Sequence, residues 1–239
     1  MSEIMSDNDS KFCTAADAEW CDMDQEAAGQ ETEAGYKIAA ITDITNKKRF
    51  VQLMDAGKSF ALYNQEIRRL SLIEGEFISH EQYASILKML EDRARNRALH
   101  IVTKRDVTEK QLTEKLLDGR YPKNVITVTI QFMKEHGFVN DARYASNYVW
   151  CKADTRSRRQ MEAYLYSKGI EQAVIEQACD EYYDTNADAQ NVLIRKLIDK
   201  KCHNLSEATY EEKSKIIAYL ARKGFDYDNI QYVMNELTH

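Results

Sequence analysis

The chain has 239 residues, 44% apolar and 30% charged, with one proline, eight glycines and a formal net charge of −6. That balance suits a soluble, helix-rich protein, and without an apolar run of about 18 residues no helix is expected to cross a bilayer. Charge is unevenly placed, because residues 1–35 hold ten acids and one lysine, a net −9, which leaves +3 on the other 204 residues.

The amino-terminal segment 1–35 has too few large apolar residues to offset its ordering entropy and is expected to be a disordered acidic tail. Phe12 and Trp20 are its only candidates for a short docking motif. Its acidic start, with no apolar run behind it, is unlike a secretory signal, so a cytoplasmic protein is expected. The tail is a polyanion that can compete for basic patches elsewhere in the chain.

From Tyr36 the runs YKIAAITDI, RFVQLMD and SFALY are rich in apolar and β-branched residues. Thr45-Asn46-Lys47 and Asp55-Ala56-Gly57-Lys58 supply turns between them, which predicts a three-stranded antiparallel meander over 36–63. So small a sheet needs a cover for its apolar face, and the Ile67/Leu70/Leu72 stretch offers one. A small β-rich module is therefore expected over 36–78.

Helical spacing begins at Ser79, where Ser79-x-x-Gln82 forms a capping box ahead of Tyr83, Ile86, Leu87 and Leu90. Thr108-x-x-Gln111 and Thr209-x-x-Glu212 are further boxes, Asn140 is a cap, and Gly137, Gly169 and Gly224 mark helix ends. The predicted helices are 81–103, 109–118, 122–136, 141–153, 156–167, 171–183, 187–202, 210–222 and 226–237. One segment argues otherwise: residues 125–132, VITVTIQF, alternate apolar and polar as a strand would.

A repeat resolves that conflict in favour of helix. Leu116 to Tyr121, Leu165 to Ile170 and Leu220 to Phe225 each run from a leucine through a short basic turn to a bulky apolar residue. The leucines are separated by 49 and 55 residues, and an isoleucine (Ile126, Ile175, Ile230) follows each closing residue by five. A period of this length holds about three short helices. The predicted fold is mainly α: tandem three-helix repeats over 79–138, 139–184 and 185–239 in an elongated curved body, preceded by the small β-meander and the acidic tail.

Within the second repeat, Gly137-Phe138-Val139-Asn140-Asp141-Ala142-Arg143-Tyr144-Ala145, then Tyr148-Val149, leads on to Leu165 and Lys168-Gly169-Ile170. These elements, in this order and in phase with the repeats, resemble the RecX family of bacterial recombination regulators. The resemblance covers Ser79 to Leu237. Asn140 departs from the usual acidic pair and caps a helix equally well; Ser157 stands where a glycine often interrupts the basic stretch. The resemblance implies an inhibitor of the RecA recombinase that lodges in the groove of the RecA–DNA filament, and a body of repeats suits contact with successive subunits.

The basic stretch of Lys152, Arg156, Arg158, Arg159 and Lys168 is the candidate partner-binding surface. On a helix starting near Arg156, positions 156, 159 and 160 share a face and 158 turns away. Arginine binds carboxylate or phosphate bidentately, so RecA and single- or double-stranded DNA are the candidate partners; a solvated helix face is the bland reading. Arg93, Arg95, Arg97, Lys104 and Arg105 form a second patch, expected to be solvent-facing or paired within the chain, and Lys196, Lys200, Lys201, Lys213, Lys215, Arg222 and Lys223 a third. Tyr144, Tyr148, Tyr164 and Tyr166 lie near the first; Tyr144 and Tyr148 are expected in the core.

No phosphate-cradling glycine loop, GxSxG or HExxH occurs, so no enzyme is expected. The cysteines (Cys13, Cys21, Cys151, Cys179, Cys202) are scattered, and the Cys202-His203 neighbours point apart on a helix, so neither metal nor cofactor is expected. A monomer with no membrane contact is expected. The alternative function is a direct DNA-binding helical module acting without RecA; a passive scaffold is the third.

Overall fold

Alternating apolar positions build the first of two compact units, residues 1–86 and 87–239, in the computed structural model, which describes residues 35–202 and 205–238. Residues 1–34, where most of the acidic segment falls, lie outside the described residues. Strands β1 (Tyr36–Thr45), β2 (Lys48–Leu53) and β3 (Phe60–Tyr63) form the expected meander, with Thr45 paired to Lys48 across the Asn46-Lys47 turn. Helix α1 (Asn64–Arg69) follows, and a short strand β4 (Phe77–Ile78) pairs with β1, making the sheet four-stranded in the order β3-β2-β1-β4. Sequence patterning missed β4 because two residues carry no readable alternation. Ile38, Val51, Leu53, Phe60, Leu62 and Ile78 are buried, as are Ile67 and Leu72 of the predicted cover.

Ser79 accepts from the Gln82 amide at 3.1 Å and opens α2 (His80–Val102). Its buried positions Ile86, Leu90, Ala94 and Ala98 recur every fourth residue, one stripe of a helix. Then follow α3 (Glu109–Leu117) and α4 (Lys123–Glu135); α5 (Asp141–Lys152), α6 (Arg158–Ser167) and α7 (Gln172–Thr185); and α8 (Ala189–Asp199), α9 (Tyr210–Arg222) and α10 (Tyr227–Glu236). The phased residues are the cores of these triplets: Leu116, Leu165 and Leu220 are fully buried, with Ile126, Ile175 and Ile230 beside them in their respective repeats. The segment with strand propensity is helical within α4. Val125, Ile126, Thr129, Ile130 and Met133 form its buried seam, and the buried Thr129 hydroxyl donates to the Val125 carbonyl at 2.7 Å. Tertiary burial outweighs a β-propensity worth about 1 kcal/mol or less per residue.

Successive repeats are joined by the same contact. The N-cap hydroxyl of α3, on Thr108, accepts from its own Gln111 amide and donates to the carbonyl of Lys168, the C-cap of α6, at 2.8 Å. Ser157 caps α6 in the same way and donates to the carbonyl of Lys223, the C-cap of α9, at 2.6 Å. Both hydroxyls are buried. At the first joint Asp141 accepts from the Glu109 amide at 2.9 Å, so the acidic residue of the resemblance motif caps a helix of the neighbouring repeat. Burial raises the Asp141 carboxyl above the usual range, against the lowering effect of that hydrogen bond.

The glycines after these C-caps are required twice over. Gly169 and Gly224 have φ of +81° and +83°, and a Cβ on Gly169 would lie 2.3 Å from the Lys110 side chain, while one on Gly224 would lie 3.1 Å from Arg159 and 3.2 Å from Ser157. In the first repeat the corresponding residue is Arg120, exposed at φ +58°.

Gly169→Ala should therefore cost more than Gly137→Ala, which has a similar φ but no neighbour within 4 Å. In urea denaturation the second should lose about 1 kcal/mol, the left-handed cost alone, and the first at least twice that. Ser157→Asp keeps a capping oxygen but has no proton to donate. It should be destabilised by about 1 kcal/mol or more, like Ser157→Ala; wild-type stability of Ser157→Asp would show that the donated hydrogen bond contributes nothing.

Candidate interaction surface

The five basic residues do not form one patch. Helix α6 begins at Arg158, two residues later than the sequence suggests, because Ser157 is its cap. Arg156 therefore lies in the loop. Its guanidinium donates to the Tyr148 hydroxyl at 2.6 Å and sits 5.5 Å from the Tyr164 ring centre. The Lys168 ammonium lies 5.0 Å from the same ring, and Tyr148 and Tyr164 stack at 4.4 Å with their planes 10° apart. The stretch thus contributes two cations to one tyrosine, supported by a second. Burial, followed by a hydrogen bond with Tyr164, pushes the Tyr144 phenol up to about 12. Burial also raises Tyr148, opposed by Arg156. These phenols stay neutral at physiological pH, and the positive charge of the cluster is undiminished.

Tyr144 and Tyr148 are part-buried against the core of their repeat, with their hydroxyl ends at this cluster. Such a tyrosine gives both core contact and a polar handle.

Arg158 is committed elsewhere. It pairs with Glu162 and Asp180, each at 2.7 Å, and its guanidinium lies 5.8 Å from the Tyr183 ring, tying α6 to α7. Partial burial opposes its charge, but the two carboxylates more than compensate and hold it protonated. Arg159 is exposed, with its aliphatic stem beside Gly224 at the second joint, and Lys152 is exposed at the end of α5. Arg95 of the second patch lies 4.9 Å from the Phe132 ring and pairs with Glu91 at 3.9 Å, an intramolecular role as expected.

The sequence reading overlooked that Tyr219 is the counterpart of Tyr164, one residue before the phased leucine. Lys201 and Lys223 lie 5.0 and 5.3 Å from its ring centre. The repeat alignment contained the signal, a shared Tyr-Leu step with a lysine four residues after the tyrosine. Among the described residues no group of three or more His, Cys, Asp or Glu could hold a metal ion; His203 lies outside them. None of their helices is long and apolar enough to cross a membrane.

The different commitments of these arginines give a stability test. Arg158→Met should lower stability by about 1 kcal/mol, through a partly exposed ion pair and a cation–π contact. Lys152→Met should stay within about 0.5 kcal/mol of wild type. Equal urea midpoints for the two variants would show that Arg158 does not brace α6 against α7.

Residues 94–133 match the first three-helix domain of RecX and residues 188–234 the third. The regulatory protein RecX of Clostridioides difficile is 31% identical over 208 residues, spanning 84% of this chain and 96% of that protein. That of Caldanaerobacter subterraneus is 27% identical over 200 residues, spanning 83% and 98%. Among solved structures, a crystal structure of regulatory protein RecX aligns with 84% of this chain and 99% of its own at a TM-score of 0.58 and 20% identity, and RecX from Lactobacillus salivarius with 62% and 96% at 0.53 and 25%. With a relative 31% identical over 84% of its length, and with two of the family's three-helix domains matched, the chain belongs to the RecX family of regulatory proteins.

Proposed function

We propose that this protein regulates the RecA recombinase by binding the RecA–DNA filament and limiting its extension and its activities in homologous recombination and the SOS response. The observation that carries the reading is family membership over almost the whole length of a relative named for regulation. The surface favoured for filament contact is the Arg156–Tyr164–Lys168 cluster, whose cations are held against tyrosine rings rather than consumed by carboxylates. Held cations lose less side-chain entropy on binding. In this reading the protein acts as a monomer in the cytoplasm, without chemistry of its own, and works by occupying a surface.

Added at substoichiometric amounts to RecA on single-stranded DNA, the purified protein should suppress DNA-dependent ATP hydrolysis. Folded protein with no effect over a wide concentration range would overturn the proposal. Arg156→Glu with Lys168→Glu should weaken inhibition at least about tenfold, because attraction becomes repulsion, whereas Lys104→Glu should leave it near wild type. The second reading, a DNA-binding module that needs no RecA, is favoured by Lys201, Lys215 and Arg222 of the third repeat, which make no salt bridge among the described residues. It expects tight, salt-sensitive DNA binding by this protein alone that accounts for all inhibition.

A further inference from the structure

We propose that the third repeat carries a pocket for a phosphate group, bounded by Lys201, Lys215 and Arg222 around Tyr219. These residues line a cleft of about 360 Å³, with Cys202, Glu212 and Ile216 completing the wall. Glu212 is the one carboxylate there; it accepts from the Thr209 amide at 2.8 Å and the Thr209 hydroxyl at 3.0 Å, and these bonds, with a smaller effect of the Lys215 charge, hold it below its usual range. Three cations against one carboxylate leave the cleft positive.

The packing of the other two repeats does without Lys215 and Arg222. Aligned on the buried leucines, Lys215 and Arg222 correspond to Gln160 and Ser167 in the second repeat and to Gln111 and Asp118 in the first. Those repeats pack around the same leucine without them. In a chain with 39 acids to 33 bases, cations with packing roles find carboxylates, as Arg158 and Arg195 do. None of Lys201, Lys215 and Arg222 makes a salt bridge among the described residues. Lys201 and Lys223 are instead held near the Tyr219 ring, which orients them without neutralising them.

A phosphate fits this arrangement better than a carboxylate does. Its acceptor oxygens form a tetrahedral array, whereas those of a carboxylate lie in one plane, and both arginine and lysine are usual phosphate donors. The cleft is large enough for one phosphate with part of what it is attached to. That phosphate is either a free or small-molecule phosphate or one link of a nucleic-acid backbone. The inference does not depend on the RecA reading, and its test contains no RecA.

The test titrates the full-length protein with inorganic phosphate, following backbone amide shifts, and with fluorescein-labelled single-stranded dT20, following anisotropy across a salt series. Phosphate should give saturable shifts centred on Lys215, Tyr219 and Arg222, which Lys215→Gln with Arg222→Gln removes while the thermal midpoint stays put and Lys215→Arg alone preserves them. If the source is a nucleic-acid backbone, the double variant should also bind dT20 at least about tenfold more weakly, with the salt slope reduced by about 0.7 for the one lost phosphate contact. Lys104→Gln with Lys152→Gln should change little. Saturable phosphate shifts with dT20 binding unaltered by the double variant would support the pocket and assign it to a small phosphate compound. Absence of saturable shifts at those residues, their persistence in the double variant, or equal displacement by poly-glutamate would each overturn the proposal.

Discussion

A hydroxyl oxygen carries one proton and two lone pairs, and the arrangement of the helical repeats depends on using both. Thr108 and Ser157 each accept from the first turn of their own helix and donate to the carbonyl that ends the middle helix of the next repeat. One atom thus starts a helix and finishes another 60 or 66 residues away in sequence, satisfying two backbone groups that helix ends leave unpaired. Asparagine or aspartate would cap as well, but neither presents a donor and an acceptor on one atom. Thr209 shows the contrast, because it is exposed and its hydroxyl turns to its own Glu212.

The joint also explains why glycine follows the lysine in the second and third repeats and arginine takes that place in the first. A left-handed residue, Arg120, Gly169 or Gly224, follows the middle helix of each repeat, and at Gly169 and Gly224 the preceding repeat approaches closely as well. Arg120 bears the backbone cost at an exposed position. What reads as an ordinary helix-ending motif is a docking surface between modules as well.

Lys168 and Lys223 then do two things with one residue. Their carbonyls receive the neighbouring repeat, and their ammoniums lie near the tyrosine one turn earlier. Cations become fixed features of the joints instead of mobile surface charge. Arg158 illustrates the opposite fate: a guanidinium braced by two carboxylates holds helices together and has little left to offer a partner.

Much of this molecule was legible in one dimension. The phase of Leu116, Leu165 and Leu220, the capping boxes and the glycine stops specify nine helices in threes, because periodicity and caps are local properties, and the RecX resemblance rests on residues of that same frame. Local information also misled at residues 125–132, where strand propensity is real but weaker than the burial of Val125, Ile126 and Met133 in a helical seam. The two-residue strand β4 exists only because β1 is there to pair with it. The five basic residues looked alike in sequence, and only the fold separates Arg156 and Lys168, which converge on Tyr164, from Arg158, which is spent on Glu162 and Asp180. Which cations stay available depends on which acids folding brings within reach, and those partners lie up to 41 residues away on another helix.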